Sequence, residues 1–111
     1  MSTVFGLIIE GKIPCKKVFE NDRILAIEDI HPVAPVHILI MPKKAIPNLQ
    51  AIRHEDLSLI GEIVEVAKQI AADKGIAEGY RLVTNNGPDS GQTILHLHFH
   101  LLGGRVLGHL G

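Results

Sequence analysis

The sequence predicts an α+β fold: an antiparallel sheet of about five strands against one long helix, with a short helix near the N-terminus. Three observations carry that expectation. Between about Glu55 and Lys74, Leu57, Ile60, Ile63, Val64, Ala67, Ile70 and Ala71 recur at helical spacing. Around that segment lie short runs of β-branched or alternating apolar residues, each bounded by turn residues. The 111 residues contain no repeat, linker or low-complexity stretch, so a single domain over 1–111 is expected.

Ser2 or Thr3 is placed to cap a short helix over Val4 to Ile9, which Ile13-Pro14 ends. Lys17 to Glu20 and Ile24 to Ile27 read as two strands joined by a turn at Asn21-Asp22. Pro32 and Pro35 mark a loop. Val36 to Met41 reads as a central strand stopped by Pro42. Gly75 is a natural stop for the long helix. Leu59 and Val66 lie off its apolar stripe, which suggests a second covered face, met by a partner chain. Tyr80 to Thr84 alternates as a strand, Asn86 to Gly91 is a turn-rich loop, and Ile94 to Leu102 is the last strand, closed by Gly103-Gly104.

Composition narrows the function classes. Hydrophobic residues make up 46% of the chain, enough for a real core. A net charge of −1 argues against broad attraction to nucleic acid or an anionic membrane, and 4% aromatics with no Trp argues against a base-stacking platform. The lone Cys15 precludes an internal disulfide, consistent with a reducing compartment. The N-terminal residues lack the basic and long apolar regions of a signal peptide, and no apolar run approaches the ~20 residues of a membrane span. A soluble cytoplasmic protein is expected.

The chemistry concentrates in His96-Leu97-His98-Phe99-His100. Alternation along a strand places the three imidazoles on one face, taken as the more open one, and Leu97, Phe99 and Leu101 on the core face. Imidazole titrates near neutrality and serves as nucleophile, acid or base. A His-x-His pair also chelates metal, although the outer two of three alternating residues sit roughly 13 Å apart on a straight strand and converge poorly. Catalytic, metal-binding and structural readings all remain open from the residues alone. The preceding loop, Asn85 to Thr93, is polar and glycine-containing. It suits backbone N–H contacts to phosphate, or simply a hairpin turn. The isolated His31, His54 and His109 read as surface residues.

The run His96-Leu97-His98-Phe99-His100-Leu101-Leu102 resembles the motif of the histidine triad (HIT) superfamily at every position. The likeness extends through Phe5-Gly6, Asp29-Ile30, Ala34-Pro35, Val36-His37, Pro42-Lys43-Lys44, Gly79-Tyr80-Arg81, Asn85, Gly91-Gln92 and Gly103-Gly104-Arg105. It is closer to the Hint branch, the histidine triad nucleotide-binding proteins, than to the Fhit-type or uridylyltransferase branches. The resemblance implies a HIT-like fold and a purine nucleoside phosphoramidase acting on substrates such as adenosine 5′-phosphoramidate or lysyl-AMP. His98 would be the nucleophile, with a nucleotidyl-histidine intermediate hydrolysed to the monophosphate. His100 would bond the phosphate or the leaving atom, and His96 and His37 would assist orientation or proton movement. Asp29 would hold the ribose hydroxyls. Ile30, Ile27, Phe5 and Ile8 would form the slot for the base, and Asn85, Gly91, Gln92 and Thr93 would contact phosphate.

The resemblance further implies a homodimer and no cofactor. Cys15 lacks the paired cysteine of zinc-binding relatives, so no metal is expected. Thr93 stands where the family often has Ser, Ile27 replaces a frequent aromatic, and the tail Val106 to Gly111 lacks the Trp of some relatives. Competing expectations are a dinucleoside polyphosphate hydrolase and a nucleotide-binding regulatory or scaffold protein.

Overall fold

A computed structural model describes residues 3–111. It is an α+β structure with α1 (Val4–Ile9), β1 (Lys17–Glu20), β2 (Ile24–Glu28), β3 (Val36–Pro42), α2 (Ser58–Asp73), β4 (Tyr80–Val83) and β5 (Phe99–Gly103). All neighbours in the five-stranded sheet run antiparallel, in the order β1-β2-β3-β5-β4. Among the described residues no helix is long and apolar enough to cross a membrane.

Strand alternation divides the sheet into two faces. Ile24, Ala26, Ile38, Ile40, Phe99 and Leu101 pack with the buried side of α2. Leu25, Ile27, Leu39 and Met41 point the other way and pack with Phe5 of α1. The short α1 is held by the Thr3 hydroxyl, which accepts the Gly6 N–H at 3.1 Å. Ser2, the other expected cap, lies outside the described residues. The helix stops before Pro14, at a C-cap on Glu10 followed by Gly11 at φ +79°.

The phase of α2 differs from the expected one. Leu59 and Val66 belong to the core, 3% and 6% exposed, whereas Leu57 and Val64 are 48% and 41% exposed. The physical centre of the stripe is Ile63, Ala67 and Ile70. Leu57 and Val64 stand about 100° or more around the helix from Ile63, so the sheet does not reach them. Leu59 and Val66 are therefore covered by this chain's own sheet, not by a partner. At its end, Gly75 at φ +74° turns the chain; Gly75 N–H bonds Ala72 O at 3.1 Å and Ile76 N–H bonds Ala71 O at 2.9 Å.

The last strand is shorter than expected. Its ladder with β3 begins at Phe99↔Ile40, leaving residues 94–98 outside it. Pro42 explains this: it has no N–H to donate, and its carbonyl is taken by His96 Nε2 at 2.8 Å. Leu97 N–H goes instead to Ile46 O at 2.6 Å. Sidedness survives the loss of pairing, because Leu97 still faces the α2 core and His96 and His98 still face Phe5.

Candidate active site

The face away from α2 carries the histidines. It is not open, contrary to expectation: His37, His96 and His98 are buried, and only His100 is partly exposed. His37 on β3 pairs in register with Leu102, and Leu39 with His100, so His37 and His100 are diagonal cross-strand neighbours. That puts His37 Nε2 2.9 Å from His100 Nδ1. The Phe5 ring meets His98 edge-on, centroids 4.8 Å apart at 76°, and His98 and His100 lie 5.2 Å apart.

Hydrogen-bond partners assign the protons. His98 Nδ1 lies 2.6 Å from the His96 carbonyl, which only accepts, so Nδ1 carries the proton and Nε2 keeps its lone pair. The Val33 N–H donates to His37 Nδ1 at 3.1 Å, so the His37 proton sits on Nε2. That Nε2–H donates to His100 Nδ1, which leaves the His100 proton on Nε2. The result is a bare nitrogen on His98 beside an N–H donor on His100.

Burial keeps all four rings neutral. It is the largest influence lowering His37, His96, His98 and His100, and in His100, with the neighbouring His98 and His37 adding to it, the pKa falls to about 4. The Asp29 carboxylate opposes the shift at His37, His98 and His100 without overcoming it. The 3.3 Å approach of Asp29 Oδ2 to His37 Nε2 is thus a contact to a neutral ring.

A cavity of about 440 Å³ opens beside these groups. Of the expected site residues, Phe5, Ile8, Ile27, Asp29, Ile30, Asn85, Gly91, Thr93, His98 and His100 line it. Asp29 Oδ1 accepts the His31 N–H at 2.8 Å in a local turn that presents the carboxylate. Ile30 sits at the rim, 84% exposed. Val4, Ile13, Pro14, Cys15, Leu39 and Ile94 complete the apolar wall, and Glu28 and His31 also border it. Sequence reading missed these because they come from five separate segments; for Leu39, its place beside His37 on a strand was the only available signal.

Three expected residues lie elsewhere. His96 is 3% exposed, and its ring anchors Pro42. His37 acts behind His100. The Gln92 side chain turns into its own loop: Oε1 accepts Gly87 N–H at 2.8 Å, and Nε2 donates to Pro47 O at 2.8 Å and Ile94 O at 3.0 Å. Gln92 thereby shapes the loop that brings Gly91, at φ +100°, and Thr93 to the cavity.

Asp29, His37 and His100 offer ligand atoms within 4.8 Å of one another, the one metal-capable group among the described residues. Coordination through His37 Nε2 would move its proton to Nδ1, against the Val33 N–H. The donor set therefore suits a hydrogen-bonded relay better than a metal.

A buried relay on an antiparallel sheet, with one unprotonated imidazole nitrogen at the wall of a largely apolar cavity, defines a class of site suited to nucleophilic chemistry on a bound small molecule. Comparison with known proteins agrees. The HIT domain matches residues 10–107, and the chain belongs to that family. A HIT-like protein of Chlamydia pneumoniae is 54% identical over 106 residues, covering 96% of each chain. A HIT family hydrolase from Legionella pneumophila superposes with a TM-score of 0.94 at 44% identity, covering 96% of both chains. A histidine triad nucleotide-binding protein from Candida albicans gives 0.82 at 29% identity, over 99% of this chain and 86% of that one.

Proposed function

We propose that this protein is a Hint-type purine nucleoside phosphoramidase. The observation that carries the reading is the bare Nε2 of a neutral His98 at the wall of a cavity that also holds Asp29. The base lies among Phe5, Ile8, Ile27 and Ile30, and Asp29 accepts from the ribose hydroxyls. His98 Nε2 attacks the α-phosphorus, and the P–N bond breaks. Its electron pair leaves with the nitrogen, which takes a proton from solvent. Water then attacks phosphorus, the bond to His98 breaks, and the nucleoside monophosphate departs as water's second proton returns to solvent. His100 Nε2–H donates to a phosphoryl oxygen, as do the Thr93 hydroxyl and the Gly91 loop; a neutral donor placed where charge develops stabilises the transition state. Gln92 serves the phosphate only by holding that loop.

The protein acts as a homodimer in this reading. β4 is a sheet edge with an unpaired ladder, and Val64 of α2 and Leu57 just before it are exposed. Light scattering giving twice the 12.1 kDa chain mass supports it, and a monomer at micromolar concentration refutes it.

The decisive experiment is intact mass spectrometry of wild type and His98→Ala during turnover of adenosine 5′-phosphoramidate. A transient adenylyl adduct on wild type alone, with AMP accumulating, supports covalent phosphoramidase chemistry. AMP binding with neither adduct nor product replaces the reading with a nucleotide-binding scaffold.

A further inference from the structure

His98 stands outside both of the ladders that flank it. The β3–β5 ladder begins at Phe99↔Ile40, and the β4–β5 ladder ends at Val83↔His100. The ring does not anchor the main chain in their place. His98 Nδ1 bonds the carbonyl of His96, two residues back in the same segment, so the ring is only as well placed as residues 96–98 are.

Three hydrogen bonds tie those residues to other segments, one each. The His96 ring donates from Nε2 to Pro42 O at 2.8 Å, and Leu97 N–H donates to Ile46 O at 2.6 Å. Both of these anchors lie at or just beyond the end of β3. From the opposite side comes one bond: the Thr84 hydroxyl donates to the His98 carbonyl at 2.7 Å. Thr84 directly follows β4. Continued register would set Asn85 opposite His98. Asn85 instead borders the nucleoside cavity, and the hydroxyl of its neighbour takes the carbonyl. The bond runs inward between β4 and β5, away from the free edge of β4. Branching at Cβ restricts χ1, so the threonine holds its hydroxyl stiffly in place.

We infer that Thr84 is a positioning residue for the nucleophile: its hydroxyl braces residues 96–98 from the β4 side and so sets the distance and line of approach of His98 Nε2 to phosphorus. The inference rests on the reading of His98 as nucleophile. In that reading the nucleotide is located by other parts of the chain: Asp29 just past β2, and Gly91 and Thr93 in a loop that Gln92 braces. Loosening residues 96–98 therefore moves the attacking nitrogen relative to a phosphorus that stays where it is. Attack needs the reacting atoms roughly 3–3.5 Å apart and aligned, and a misplacement of about 1 Å costs on the order of 10²-fold in rate. Losing one of three braces shifts the segment by less than that. Formation of the bond between Nε2 and phosphorus slows, and nucleotide affinity holds.

The test measures the rate of adenylyl adduct formation from adenosine 5′-phosphoramidate by rapid-quench intact mass spectrometry, for wild type, Thr84→Val and Thr84→Ser. The AMP Kd from calorimetry and the Tm are taken for each. Thr84→Val keeps the shape and loses the donor; it should form the adduct about tenfold more slowly, with the AMP Kd within about twofold of wild type. Thr84→Ser keeps the donor without the branch and should recover to within about threefold of wild type. Should Thr84→Val not fold, Thr84→Ala against Thr84→Ser makes the same comparison. A Thr84→Val rate equal to wild type overturns the inference. So does an equal slowing in the valine and serine variants, or a slowing matched by an equal loss of AMP affinity; each of these leaves the phosphoramidase reading intact. A wild type that binds AMP but forms neither adduct nor product overturns the phosphoramidase reading itself, and the role of Thr84 with it.

Discussion

Acidification from pH 7 to 4.5 should destabilise this protein, and His100 carries a large part of the effect. Burial beside His98 and His37 lowers the His100 pKa from 6.5 to about 4. In the unfolded chain the same ring protonates near 6.5. Between those values the unfolded state binds more protons than the native one, so unfolding free energy falls as pH falls. The full difference of about 2.5 pKa units corresponds to ~3.4 kcal/mol, complete only below pH 4. The ring is partly exposed, and solvent screening reduces the expectation to about 2 kcal/mol between pH 7 and 4.5. His37, His96 and His98 shift in the same direction and steepen the slope. The assay is urea unfolding at half-unit pH steps for wild type and His100→Asn, comparing slopes with pH and not absolute stabilities. The variant should lose about 2 kcal/mol of the pH dependence. A flat wild-type profile over this range, or an unchanged slope in His100→Asn, would refute the claim that the relay is buried and neutral.

Four further outcomes are expected. His98→Ala should lower phosphoramidate turnover by about 10⁴-fold or more while AMP still binds, as measured by calorimetry. Gln92→Ala strips partners from Gly87 N–H and Pro47 O and should cost about 2 kcal/mol in denaturant unfolding; a loss under ~0.5 kcal/mol would show that the loop holds itself. Gly104→Ala sets a Cβ 2.8 Å from Pro35 Cβ at φ +95°, so Tm should drop clearly, by an amount worth about 2 kcal/mol or more. Asp29→Asn should raise KM for a ribonucleotide roughly tenfold and hardly affect the 2′,3′-dideoxy analogue; an equal effect on both would remove Asp29 from ribose recognition.

Much of the candidate site was legible because strand periodicity is strict. With a period of two, His96, His98 and His100 share a side whether or not every residue is in the ladder, and this held through the irregular stretch before β5. Position beside Thr, Pro and Gly residues likewise located α1 and the stop at Gly75. The phase of α2 was not legible. Leu57 and Val64 are as apolar as Leu59 and Val66, and only the position of the sheet chooses between the two stripes. The direction of the Gln92 side chain was not legible either. The resemblance implied a phosphate contact for Gln92, and only the fold shows Pro47, 45 residues away in the chain, accepting its side-chain N–H.

The sequence by itself determined which residue types stand on which side of each element, because backbone geometry alternates side chains locally and needs no distant partner. It also determined that one histidine-rich side would oppose an apolar one. Only the tertiary structure decided what those sides meet. Pro42 ends the β3–β5 ladder and is bound by His96; His37 falls diagonal to His100; and Val33 sets the proton positions of both. These are contacts between segments far apart in the chain. Their geometry comes from strand register and loop closure, which no local pattern encodes.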